Sequence, residues 1–148
     1  MKPVARCFSW MLRLVVVLGI GCLLFVSWGL WFEKPWLRYQ NLPFPPAAEK
    51  VKAGEAVVLS VERCSDAPVT ETYRTTHGIQ SAKDQKAILL PDVVVSVDPG
   101  CHRDASKINV VPKGTAPGRY VAFGVALVPG LIRTFAVPWY SEEFEVVP

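Results

Sequence analysis

One apolar helix followed by a small all-β domain is the fold this sequence predicts, and three observations predict it. Residues 14–32, LVVVLGIGCLLFVSWGLWF, run nineteen positions without a charge. From about residue 50 onward, short alternating or β-branched stretches are separated by Gly, Pro, Asn and Asp. No long amphipathic 3.6-residue period competes with them.

The apolar run has the dimensions of a membrane span. At about 1.5 Å per residue it reaches roughly 28 Å, against a hydrocarbon core of about 30 Å. Leu14 and Phe32 bound the expected transmembrane helix, 14–32. Phe8 and Trp10 on one side, and Trp28, Trp31, Trp36 and Tyr39 on the other, are rings suited to the headgroup level. Glu33, Lys34 and Pro35 end the helix, because proline cannot continue an interior turn. Lys2, Arg6 and Arg13 outweigh Lys34 and Arg38 across the span. That bias predicts a short cytoplasmic tail at 1–13, a single pass through the inner (cytoplasmic) membrane, and a C-terminal domain that is periplasmic or extracellular. A basic start also suits a cleavable leader, with Ser27 and Gly29 as the small pair, set among tryptophans. Cys22 as a lipid attachment site lacks an apolar residue three positions earlier, where Gly19 stands.

The formal charge of +3 divides unevenly. Residues 1–39 hold five basic and one acidic side chain; the rest hold eleven basic and twelve acidic. The basic character therefore belongs to the flanks of the apolar run, and the distal domain is near neutral. On that ground no nucleic acid is expected as a partner; the expected partners are the lipid bilayer, through the apolar run, and an envelope protein.

Residues 33–48, EKPWLRYQNLPFPPAA, read as a proline-rich stalk, and 49–148 as the β-domain. Val57, Leu59 and Val61 alternate with smaller or polar neighbours and predict a half-buried strand. Residues 69–76, VTETYRTT, predict a more exposed one. Ser81 and Asp84 predict the cap of a short helix within 79–88. Residues 93–97, VVVSV, then Ile108 and Val110, predict two more strands on either side of the Asp98-Pro99-Gly100 turn. In RYVAFGVALV, Val121, Phe123, Val125 and Leu127 form the large apolar set, expected to share one face. Ala122, Gly124 and Ala126 alternate with them. After Pro129-Gly130 come LIRTFAV and, at 144–147, FEVV. Seven or eight short strands predict an antiparallel two-sheet or barrel architecture.

Cys64 and Cys101 both fall in the domain expected to face an oxidising compartment, so they are expected to form one disulfide. Cys7 and Cys22 lie beside and within the apolar run and read as small packing residues.

Ala116-Pro117-Gly118-Arg119-Tyr120-Val121-Ala122 is similar to the D-x-G-x-Y-x-C stretch of immunoglobulin-like domains, with Gly118 and Tyr120 matching. The resemblance implies an immunoglobulin-like β-sandwich in which the Tyr120 hydroxyl bonds back to the backbone as a tyrosine corner. Ala122 stands at the cysteine position, so Cys64–Cys101 would not be that family's inter-sheet disulfide.

His77-Gly78 followed by Gly100-Cys101-His102-Arg103 resembles the catalytic signature of L,D-transpeptidases, the cysteine enzymes that cross-link peptidoglycan. The resemblance implies Cys101 as nucleophile, His77 as base and Arg103 as a third member. Asp98 stands at that family's serine position, and 47 residues follow Cys101. Cys101, His102, Asp104 and His77 are metal-donor types without a metal-ligand spacing, and neither a metal nor a cofactor is expected. The expected function is that of a membrane-anchored protein–protein interaction module, an accessory or scaffold subunit of a bacterial or phage envelope complex, and not an enzyme. Tyr73, Trp139 and Tyr140 are its candidate contact residues, because aromatic side chains favour interfaces. A cysteine-dependent cell-wall enzyme and a small regulator acting through its membrane helix are the alternatives.

Overall fold

The computed structural model describes residues 2–148, with the backbone alone for residues 2–9 and 12. Readings that rest on the side chains of Lys2, Arg6, Cys7 and Phe8 lie outside the described residues. Two compact units emerge: Met1–Lys34 with Gly130–Arg133, and Pro35–Pro129 with Thr134–Pro148.

The first unit is built on one helix, α1 (Lys2–Phe32). It begins well before residue 14, so residues 2–13 of the expected tail are helical too. Within it, Arg13–Phe32 has a mean hydropathy of 2.3, and only 6% of its most apolar stretch is buried. A helix satisfies its own backbone hydrogen bonds, so this run needs no partner to stay folded where water is scarce. The expected stop is observed: α1 ends at Phe32, ahead of Pro35. The Glu33 carboxylate accepts the Leu131 and Ile132 N–H groups, while Arg133 donates to the Glu33 carbonyl at 3.0 Å. Ile132 packs on the bare backbone of Gly29.

The second unit contains eight strands: β1 (Leu37–Gln40), β2 (Lys50–Lys52), β3 (Ala56–Ser65), β4 (Glu71–Ser81), β5 (Ala87–Val97), β6 (Gly100–Val110), β7 (Gly118–Pro129) and β8 (Thr134–Val147). They form a three-stranded sheet, β1-β3-β6, and a five-stranded sheet, β2-β8-β7-β4-β5. Pairing is antiparallel except that β2 runs parallel to β8, which departs from the expected all-antiparallel arrangement. Val57, Leu59 and Val61 of β3 share one core cluster with Ile79, Ala122, Trp139 and Phe144 of the larger sheet. A second cluster joins Leu37, Tyr73, Val97, Ala126 and Val128.

The expected stalk is not a spacer. Leu37–Gln40 pairs with β3 as a strand, and Leu37 and Phe44 are fully buried. Phe44 exchanges backbone hydrogen bonds of 2.9 Å with Tyr140 and Glu142 on β8, while Ala47 bonds to Val58 on β3 at 2.8 Å. The segment thus stitches the two sheets together. Its apolar side chains decide this, since burying each is worth roughly 1.5–3 kcal/mol, which outweighs the extended preference of its prolines. Trp36 and Tyr39 follow the same logic. Trp36 donates to the Pro129 carbonyl at 2.9 Å and Tyr39 lies edge-on to Phe44, so both belong to the β-domain and not to a membrane belt.

One local expectation is also corrected. Ser81 and Asp84 do not cap a helix; they shape the β4–β5 hairpin. Gln85 adopts φ 56°, and its N–H returns to the Ser81 carbonyl at 3.0 Å. The Ser81 hydroxyl, followed by the Lys86 N–H and charge, holds the exposed Asp84 carboxyl below its ordinary range. Strand propensity on both sides wins over one capping pair.

In β7 the two alternating faces are present, and the structure decides which of them is buried. Tyr120, Ala122, Gly124, Ala126 and Val128 face inward, and Val121, Phe123, Val125 and Leu127 face out. The cause is Trp139, paired with Gly124 across β7 and β8. A Cβ on Gly124 would meet the indole at 2.5 Å, so the bulk of one strand replaces bulk on the other. Gly124→Ala is therefore expected to cost about 1–3 kcal/mol, the usual range for overpacking. Urea unfolding of the full chain checks this, and an unchanged midpoint would refute the packing account.

Candidate functional site

A cleft of about 220 Å³ opens between the two sheets of the β-domain. Tyr39, Phe44, Tyr73 and Trp139 give it aromatic walls; Val61, Val95 and the Ala105–Ile108 stretch of β6 complete it, with Arg63 at its polar end. Each wall follows from strand alternation. Tyr73 lies in the inward phase of β4, and Val61 and Arg63 continue the inward phase begun by Val57 and Leu59.

Arg63 is inward-facing yet charged, and its side chain is 14% exposed. It is held by Asp104 through Nη2 at 2.8 Å and Nε at 3.3 Å, and Nη1 donates to the Tyr73 hydroxyl at 3.2 Å. The Tyr39 hydroxyl donates to the same Tyr73 oxygen at 3.0 Å. Tyr73 thus accepts two hydrogen bonds, which leaves its own proton to donate. Burial, then the neighbouring Tyr73, pushes the Tyr39 phenol far above its ordinary range. Burial opposes the charge on Arg63, but the Asp104 and Tyr73 contacts more than restore it, and the net shift is upward.

The expected disulfide is present. Cys64 and Cys101 are directly opposed on β3 and β6 and are bonded to each other. The bridge lies within the three-stranded sheet, not between sheets. This overturns the transpeptidase-like arrangement: the Cys101 sulfur is engaged in the bridge and is no thiolate. His77 lies buried between the sheets, its Nε2 donating to the Ile108 carbonyl at 3.1 Å. Arg103 pairs with Glu62 at 3.0 Å along the exposed side of the same sheet as Cys101. His102 donates to the Pro99 carbonyl at 2.9 Å. The Cys101, His77 and Arg103 roles are not combined. Among the described residues, no three His, Cys, Asp or Glu side chains converge on a metal-sized site.

The contact candidates separate. Tyr73 and Trp139 are buried, so the structure corrects their reading as surface residues; burial is the ordinary fate of a ring in the inward strand phase. Tyr140 is 50% exposed. It belongs to an apolar outer face of the five-stranded sheet that sequence reasoning missed. Tyr140 lies opposite Phe123, Phe123 opposite Gly78, and Gly78 opposite Leu89. The Phe123 ring leans over Gly78, covering backbone that carries no side chain. Pro138 with Val125, then Ala136 with Leu127, extend the face toward Arg74 and Val94. Arg63 was also missed, although the β3 alternation, continued two residues past Val61, points to it.

No family model and no curated protein matches this sequence. A solved structure similar to it is the Pseudomonas fluorescens alkylpurine DNA glycosylase AlkC bound to DNA containing an abasic site analog. Identity is 18% and the TM-score 0.44, over 78% of this chain and 31% of that one. The chain spans less than a third of that protein's length. The exclusion of nucleic acid as a partner is corrected on this finding: the similar structure is of a DNA-bound protein, and a near-neutral net charge does not by itself exclude such a contact. At that TM-score the likeness carries no argument for one either.

Two outcomes are expected. Cys64 and Cys101 resist alkylation in the folded protein until a reductant is added, and Cys101→Ser lowers stability by roughly 2–4 kcal/mol; rapid labelling of Cys101 without reductant would contradict the bridge. Tyr39 stays protonated in the fold but ionises near pH 10 once unfolded. The folded state then holds the extra proton, so this stabilisation is intact below about pH 10 and is lost as pH rises above it. Urea midpoints across that range should fall more steeply for the native chain than for Tyr39→Phe.

Proposed function

We propose that this chain is a single-pass membrane protein whose immunoglobulin-like β-sandwich binds another envelope protein by accepting an extended strand. The observation that carries the reading is the contrast among free sheet edges. β1 carries Arg38, β2 carries Lys50 and Lys52, and β6 carries His102, Arg103, Asp104 and Lys107. Charges of this kind deter edge pairing. β5 instead exposes Leu89 and Val94, each 67% exposed, and is guarded only at its middle, by Pro91 and its single charge Asp92. Its unpaired backbone groups border the apolar outer face, the arrangement that β-strand addition uses. Arg74 stands beside Val94 and makes no ion pair among the described residues, so the matching strand is apolar with a carboxylate opposite Arg74.

Other observations support the remaining parts. The exposure and hydropathy of Arg13–Phe32 suit a membrane span, and the Cys64–Cys101 bridge suits a periplasmic or extracellular location. The Tyr120 hydroxyl donates to the Ala116 carbonyl at 2.9 Å, the bond a tyrosine corner makes. In such an arrangement the domain acts as an accessory or scaffold subunit, tethered beside its partner in the inner membrane.

Two measurements test the reading. The chain should remain with the membrane pellet after alkaline carbonate extraction, and release into the supernatant would sink the anchor. A photo-crosslinking residue at position 94 should give one discrete adduct in intact cells, and Leu89→Lys should reduce it at least about tenfold, a loss of about 1.4 kcal/mol. No adduct, or one indifferent to Leu89→Lys, would remove the docking edge.

A further inference from the structure

We infer that the cleft between the sheets is a binding site for a small aromatic carboxylate, a single ring carrying a short anionic arm. This goes beyond the docking edge and does not depend on the membrane anchor. Size sets the first limit. A dry cavity of about 150 Å³ admits benzene, and pockets for drug-sized ligands start near 300 Å³. At about 220 Å³ the cleft takes one ring and a few further atoms.

The walls set the second limit. Phe44 and Trp139 stand at 6.3 Å between centroids with a 39° tilt, and Tyr39 meets Phe44 edge-on at 5.6 Å. Such walls favour a ring over a branched aliphatic group, through offset and edge contacts. They are also held in place: the Trp139 indole N–H donates to Thr75 Oγ1 at 3.4 Å and the Tyr39 hydroxyl to Tyr73. A preformed site loses little on ordering when it binds.

Charge sets the third limit. Arg63 and Lys107 line the cleft against the single carboxylate of Asp104, which already pairs with Arg63. Lys107 makes no ion pair among the described residues, so the polar end keeps one net positive charge. A cation, which aromatic walls would otherwise welcome, is disfavoured there. A carboxylate can accept from the Tyr73 hydroxyl, whose proton is uncommitted, and from the Arg63 guanidinium, whose fork has donors beyond those given to Asp104 and Tyr73.

The experiment uses the full chain in lipid nanodiscs, with 3-phenylpropionate as probe and 3-phenylpropan-1-ol as its uncharged counterpart, followed by saturation-transfer NMR and calorimetric titration. Saturable binding of the carboxylate is expected at or below about 1 mM. Ala105→Trp, an exposed position on an edge strand, should fill the mouth and weaken binding at least tenfold with the melting temperature unchanged. The alcohol should bind the native chain at least tenfold more weakly than the acid, and Arg63→Met should erase that difference. The inference is overturned if the acid shows no saturable binding, if Ala105→Trp binds it equally, or if the alcohol binds as tightly as the acid.

Discussion

The seating of one indole on one glycine organises the β-domain. Trp139 lies where any Cβ on Gly124 would stand, and the small residues Ala122 and Ala126 continue that stripe along β7. Interiors pack at crystal-like density, so a ring this large between two sheets requires an equal deficit of volume across from it. β7 supplies the deficit at Ala122, Gly124 and Ala126, and Val121, Phe123, Val125 and Leu127 turn outward. The same rotation produces both the aromatic cleft, of which Trp139 is one wall, and the apolar outer face formed by Phe123, Val125 and Leu127.

The two sheets consequently differ in chemistry. The three-stranded sheet is crossed by the Cys64–Cys101 bridge and by the Arg103–Glu62 ion pair, and both of its edges carry charge. Its exposed face is well suited to water. The five-stranded sheet is apolar on both sides over much of its area, and its β5 edge is guarded only by Pro91 and Asp92. Surfaces of that kind on a soluble domain are seldom left uncovered. Between the sheets, charge is admitted where it is matched. Arg63 is tolerated because Asp104 and Tyr73 occupy its donors, and the Tyr39 phenol because it stays neutral.

Much of the fold was legible in the residues. The apolar run, its end before Pro35, the β-rich remainder and the cysteine pair follow from rules of composition, turn chemistry and alternation, and the bond of the Tyr120 hydroxyl back to the backbone is what the immunoglobulin-like resemblance implies. What was misread or left open has a shared cause. Leu37 and Phe44 lie in a proline-rich stretch whose local preference is extended, and only their burial against strands far along the chain makes it part of the domain. In β7, alternation specifies that two faces differ but not which of them is inside. The site was hidden for the same reason: Arg63, Tyr39, Phe44 and Trp139 come from separate strands or loops and meet only in three dimensions.

By itself, then, the sequence determined the inventory: a helix apolar over a span's length, short strands punctuated by turns, and one bridged pair of cysteines. The helix and the strands are properties of neighbours a few residues apart, where backbone sterics and side-chain pattern act directly; the bridge, across 37 residues, follows from the cysteine count. Tertiary structure alone decided which face of β7 is buried, that residues 37–48 fold into the sheets, that Cys101 and His77 are kept in separate roles, and that an aromatic cleft closes around Arg63. Each of those depends on the volume and charge supplied by strands distant in sequence, and a large indole can be accommodated only once the strand opposite it has left the space.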